Sequence, residues 1–140
     1  MCTVLLVEDN PGDVGLLHAA LQELLLPVQL HCVSDGMAAL AFLQRADPYA
    51  NAPRPDLIVL DLNLPLKPGL EVLAVVKQAP HLKLIPVVIL TTSDQPEEIR
   101  ASYELGANAY LQKPLALAPY LTKVKALLTF WCDAVSLPPP

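Results

Sequence analysis

Five residues with chemical capacity stand directly after apolar runs: Glu8 and Asp9 after TVLLV, Asp61 after LIVL, Thr91 after IPVVIL, and Lys113 after AYLQ. Such runs suit burial, yet each delivers a polar group at its end, and Pro65 stiffens the loop after Asp61. If the runs are strands of one parallel sheet, their ends share an edge, and open α/β sheets bind ligands beyond that edge. Three carboxylates held close repel and resist joint ionisation, so Glu8, Asp9 and Asp61 ask for a cation. A hard divalent ion with oxygen ligands, Mg2+ for preference, fits them and leaves positions for water and phosphate. Lys113 adds a point charge for phosphate and Thr91 a hydroxyl donor. Asp61 is then the natural nucleophile, because carboxylates form aspartyl-phosphates and a strand end is a rigid place to aim one.

The elements that must position these residues alternate along the chain. TVLLV (3–7), VQLHCV (28–33), DLIVL (56–60), IPVVIL (85–90) and the weaker ANAYLQ (107–112) read as strands, most of them near-continuous apolar runs of the kind a parallel sheet covers on both faces. Between them lie helical stretches. Asn10-Pro11-Gly12-Asp13 opens the first helix, with Asn10 as cap and Pro11 in the first position, and Val14, Leu17, Leu21 and Leu24 form its apolar stripe. Residues 34–45 read as turn and helix, 47–55 as loop, and 69–79 as helix. Residues 91–106 read as a helix with capping-box spacing at Asp94 and Glu97 and a stop at Gly106, and Pro119 to about Trp131 as the last helix. Five strands alternating with five helices imply one doubly wound α/β sheet.

Composition narrows the function classes. At 140 residues the chain suits one domain, and with a net charge of −5 and only nine scattered Lys and Arg it lacks the footprint of a nucleic-acid binder. Mean hydropathy is high at +0.44, but no stretch approaches the ~18 uninterrupted apolar residues of a membrane span. The start, MCTVLLVEDN, has no basic region and meets Glu8 and Asp9 too early for a signal peptide, so a cytoplasmic protein is expected. Cys2, Cys32 and Cys132 are odd in number and far apart, which favours reduced structural thiols. His18, His31 and His81 lack metal spacing, and Met37 reads as a core filler. Phe130 and Trp131 form an aromatic pair of the kind interfaces use, and the final PPP suits a solvated polyproline tail.

VLLVEDN, IVLDLNLP, VVILTTS and YLQKP resemble, in order, spacing and placement at strand ends, the four signatures of the receiver domain of two-component response regulators, across about residues 3 to 130. The resemblance implies a flavodoxin-like receiver topology with strand order 2-1-3-4-5, a receiver domain over residues 1–131 and a short proline-rich tail over 132–140. It implies Asp61 as phosphoacceptor, Asp9 as a direct metal ligand, Glu8 as a ligand acting largely through water, and the backbone carbonyl of Asn63 as a further ligand. Thr91 matches the hydroxyl that closes on the phosphoryl group, Lys113 its charge partner, and Tyr110 the switch aromatic; the Lys113-Pro114 bond is expected cis. Where many receivers carry methionine and then aspartate before glycine, this chain has Leu64 and Lys67-Pro68-Gly69, a change in loop stiffness rather than in chemistry.

FW followed by SLP, VEDNPGD and LTTS are similar to the single-domain regulators paired with bacterial phytochrome kinases. That likeness implies a histidine kinase, of bacteriophytochrome type, as partner and a homodimer through the fourth helix, fifth strand and fifth helix. Other classes fit these residues less well. A metal-dependent phosphatase of the haloacid dehalogenase type wants an aspartate two residues after the nucleophile, where this chain has Asn63, and a flavodoxin-like cofactor binder wants a glycine- and hydroxyl-rich loop where EDNPGD is acidic. A pseudo-receiver that binds partners without phosphorylation is the remaining alternative, and the joint presence of Asp61, Thr91 and Lys113 argues against it.

Overall fold

The computed structural model describes all 140 residues. The chain runs β1 (Cys2–Val7), α1 (Pro11–Leu24), β2 (Val28–Val33), α2 (Gly36–Gln44), β3 (Leu57–Leu60), α3 (Gly69–Gln78), β4 (Val87–Thr91), α4 (Pro96–Glu104), β5 (Ala109–Gln112) and α5 (Leu117–Thr129), closed by a π-helical turn, Phe130–Ala134. The five strands pair in parallel in the order β2-β1-β3-β4-β5. This is the expected doubly wound topology.

Alternation along the strands builds two cores, because successive side chains point to opposite faces. Leu5, Val7, Ile58, Leu60, Val87 and Ile89 meet Ala39 and Phe42 of α2 and Val72, Leu73 and Val76 of α3 on one face. Val4, Leu6, Leu57, Val59, Val88 and Leu90 meet Leu17 and Ala20 of α1 and Tyr120, Val124 and Leu128 of α5 on the other. Strands buried on both faces must read as unbroken apolar runs, which is why they were visible in the sequence.

Several local expectations fare differently. Asn10 caps α1 as expected, its Oδ1 accepting from the backbone N–H of Gly12 at 2.9 Å and Asp13 at 3.2 Å. Asp94 and Glu97 do not form a capping box: Pro96 takes the first helical position, which leaves Gln95 as the cap residue with no side-chain cap bond and Asp94 one residue outside. Gly106 ends the segment with φ +106°, a conformation that L side chains rarely adopt. Asp56 lies outside β3, exchanging two bonds with Thr3: its N–H donates to Thr3 O at 2.7 Å and its Oδ2 accepts from Thr3 N–H at 2.9 Å. Met37 is no core filler, because it sits on the outer side of the first turn of α2 and is 53 % exposed.

Two further expectations are overturned. The Lys113-Pro114 bond is trans; Asp47-Pro48 is the cis bond in this chain. Lys113 reaches Glu8, Asp13 and Asp61 with this bond in the ordinary trans form. Cys2 and Cys132, expected as reduced thiols, are joined by a disulfide across a Cα–Cα distance of 5.6 Å, and Cys32 is free. The topology explains the meeting: each helix returns antiparallel to the strands, so the end of α5 arrives at the edge where β1 begins.

Candidate metal and phosphoryl site

The sheet ladder runs one residue past the strand ends and fixes the backbone of the polar residues there. Glu8 N–H donates to Val33 O at 3.0 Å, Asp61 N–H to Val7 O at 3.1 Å, and Lys113 N–H to Thr91 O at 2.6 Å. The apolar runs therefore anchor the site through hydrogen bonds as well as burial. Gly69 brings the start of α3 against it: an added Cβ there meets Asp61 O at 2.3 Å and Leu62 Cα at 2.6 Å, backbone atoms that cannot step aside. Only glycine permits that approach.

Glu8, Asp61 and Lys113 are buried at 4, 7 and 6 % exposure, while Asp9 is exposed beside them. The Lys113 ammonium donates to Glu8 Oε1, to Asp13 Oδ2 at 2.9 Å and to Asp61 Oδ2 at 3.3 Å. Burial alone would lower the Lys113 pKa, but the Glu8 and Asp13 hydrogen bonds and the Asp61 charge outweigh it and hold the ammonium charged beyond the usual lysine range. Burial pushes Glu8 the other way, up to about 7, against the pull of Lys113 and with the Asp61 charge adding to the rise. One ammonium among Glu8, Asp9, Asp13 and Asp61 leaves an excess of negative charge.

Carboxylate oxygens of Glu8, Asp9 and Asp61 lie within 4.8 Å of one another, an all-oxygen set suited to a hard divalent cation. A cleft of about 320 Å3 opens on Glu8 and Asp9 toward Cys32, Val33 and Ser34. Asn63 is exposed, and its N–H donates to Asp61 Oδ1 at 3.3 Å. Thr91, fully buried at the end of the adjacent β4, has a hydroxyl oxygen with no hydrogen-bond partner. An orphaned buried hydroxyl costs stability unless something arrives to bond it. Tyr110, on β5, donates its hydroxyl to Ser93 O at 2.9 Å, in the loop that follows Thr91.

The residues marked in the sequence thus converge on one edge, and Asp13 joins them unannounced. Its place three residues after Asn10 explained it as a helix-start acid; that it reaches Lys113 follows from α1 starting at the site, one turn beyond Asp9. The histidines stay outside the cluster: His31 packs its ring on Phe42 at 5.4 Å, and His81 lines a separate cleft of about 470 Å3 with Arg45 and Arg54.

The profile of the response regulator receiver domain matches residues 4–125 of this chain. The chain belongs to the response regulator receiver domains. As a receiver it is 48 % identical to the response regulator Rcp1 of Synechocystis sp., over 96 % of this chain and 92 % of that protein. The crystal structure of the Mn2+-bound form of Rcp1 superposes with a TM-score of 0.96 at 47 % identity, covering 99 % of this receiver and 100 % of that chain. The phosphorylated cyanobacterial phytochrome response regulator RcpA superposes at 0.95 with 46 % identity, covering 99 % of each chain. Receivers work as phosphoacceptors that bind a divalent metal and take their phosphoryl group from histidine kinases. No helix of this one is long and apolar enough to cross a membrane.

Proposed function

We propose that Asp61 is the phosphoacceptor, taking its phosphoryl group from a histidine kinase of the phytochrome type in the cytoplasm. The observation that carries this reading is the pairing of a buried, charge-held Asp61 with the unpartnered hydroxyl of Thr91 on the neighbouring strand: an oxyanion guest would bond that hydroxyl and meet the Lys113 ammonium. Asp61 attacks the phosphorus of a phosphohistidine; an O–P bond forms, the P–N bond breaks, and its electron pair returns to the imidazole. Mg2+ is the ion we assign, held by Asp9 and Asp61, by Glu8 largely through water, and by the Asn63 carbonyl. When bound it supplies charge neutralisation for the phosphoryl oxygens. Lys113 holds the acids in place and offers its charge, and Thr91 and Tyr110 form the switch.

The receiver unit in this reading is residues 1–131, with 132–140 as tail. Homodimer formation through α4, β5 and α5 is the readout we assign, supported by Tyr103 of α4, half exposed at 50 %, and by β5, none of whose residues is buried. Likeness to phytochrome response regulators supports the choice of kinase. Intact-mass spectrometry after incubation with acetyl phosphate and Mg2+ tests the core of the proposal. A metal-dependent phosphoryl adduct is expected in the unaltered protein and absent both with EDTA and in Asp61→Asn. An undiminished adduct in Asp61→Asn moves the acceptor elsewhere.

A further inference from the structure

We propose that Cys2 and Cys132 form a reversible thiol–disulfide centre that latches the aromatic C-terminal turn to the first strand and is opened by a dithiol reductant. The two sulfurs come from opposite ends of the chain: Cys2 from β1, hydrogen-bonded on both sides by β2 and β3, and Cys132 from the π-helical turn 130–134, which packs on the same core face. Their Cα separation of 5.6 Å lies in the middle of the range a disulfide spans without backbone movement.

Packing holds the turn only in part, with Trp131 and Cys132 half-buried against the core face to which Cys2 belongs. α5 is anchored by Tyr120, Val124, Leu127 and Leu128, all buried, but no residue of Phe130–Ala134 is. Its backbone closes on itself, Val135 N–H donating to Phe130 O at 3.0 Å, rather than on the sheet. What it displays is the edge-to-face pair Phe130–Trp131, with ring centroids 5.2 Å apart and Phe130 half exposed. The disulfide is the covalent tie that fixes this pair to the core.

Access is one-sided. Cys2 is buried at 7 % exposure and Cys132 only half-buried, so an incoming thiolate meets the Cys132 sulfur. Attack there forms a mixed disulfide on Cys132 and expels Cys2 as thiolate, which takes a proton; the second thiolate of the dithiol then releases Cys132. Two electrons and two protons pass to the cysteine pair as the dithiol becomes a disulfide, and an oxidised thiol such as glutathione disulfide reverses the exchange. The centre lies at the start of β1 and Glu8–Asp9 beyond its end, roughly 20 Å apart at about 3.3 Å per residue, so opening the latch leaves the phosphoryl site intact.

The test combines thiol counting with the fluorescence of Trp131, the one tryptophan in the chain, next to Cys132. Of three cysteines, one (Cys32) is expected to be alkylated by iodoacetamide in the denatured, unreduced protein and all three after dithiothreitol, with one again after glutathione disulfide. Reduction is expected to shift Trp131 emission in the unaltered protein but not in Cys2→Ser, whose spectrum already matches the reduced form. Phosphoryl uptake from acetyl phosphate is expected to be equal in both redox states. Three alkylated cysteines after glutathione disulfide, or identical Trp131 emission before and after reduction, would overturn the proposal.

Discussion

Strands β3 and β5 each hand one residue to the same site, Asp61 and Lys113, but they are built differently. Every residue of β3 has 0 % exposure, and the strand is bonded to β1 on one side and β4 on the other. β5 is the sheet edge, bonded to β4 alone, with no residue buried, and α4 beside it buries only Ser102. Its hydrogen bonds to the neighbouring loop and helix are few: Tyr110 hydroxyl to Ser93 O, Gln112 Nε2 to Thr92 O at 3.5 Å, and Tyr110 N–H to the Tyr103 hydroxyl at 3.1 Å. Local opening is cheapest where apolar contacts are few and polar ones solvent-facing. In the proposed reading the interior strand holds the acceptor still and the edge registers what happens to it through a population shift.

Two residues directly opposite each other in the β4–β5 register allow the contrast to be broken or sharpened. Ile89, fully buried, belongs to the rigid side; Ile89→Ala should cost about 3 kcal/mol, the middle of the range for deleting a buried aliphatic chain, seen as a fall in the thermal or denaturant midpoint. A loss below about 1 kcal/mol would mean the sheet centre relaxes as readily as its edge. Tyr110→Phe deletes the one hydroxyl bond to Ser93 and should cost only about 0.5–1 kcal/mol. Hydrogen exchange should show that loss as faster exchange confined to the loop after β4 and to α4. Slowed or lost phosphoryl uptake in Tyr110→Phe would contradict a reading in which the edge reports on the chemistry without performing it.

The interior strands were legible because burial on both faces leaves an unmistakable apolar run, and a carboxylate at the end of one has few structural excuses. β5 was weaker in the sequence for the same reason that it is softer in the fold: half-exposed positions impose no clear pattern. Asp13 was hidden by sufficiency, since helix-start chemistry already accounted for it. Cys2 and Cys132 are 130 residues apart, and only the antiparallel return of the last helix brings them together. The cis expectation for the bond before Pro114 rests on family likeness alone, with nothing in these residues to support it, and the bond is trans.

Thr91 is where the two regions meet, and its removal should have a small effect on folding with a large effect on signalling. Most buried hydroxyls, when deleted, leave a partner unsatisfied; the Thr91 hydroxyl has none, so Thr91→Ala removes an uncompensated desolvation cost together with the packing of the Cγ2 methyl. The two terms oppose, and the folding free energy should change by less than about 1 kcal/mol. The adduct on Asp61 should still form, because the attacking carboxylate and the Lys113 ammonium beside it are left in place. What should vanish is the difference between phosphorylated and unphosphorylated protein at Tyr110, measured as exchange rates in the loop after β4 and as sedimentation of the two forms. If phosphorylation shifts both readouts in Thr91→Ala as it does in the unaltered protein, the edge strand takes its message from Lys113 instead, and the coupling runs through the ammonium that already touches Asp61.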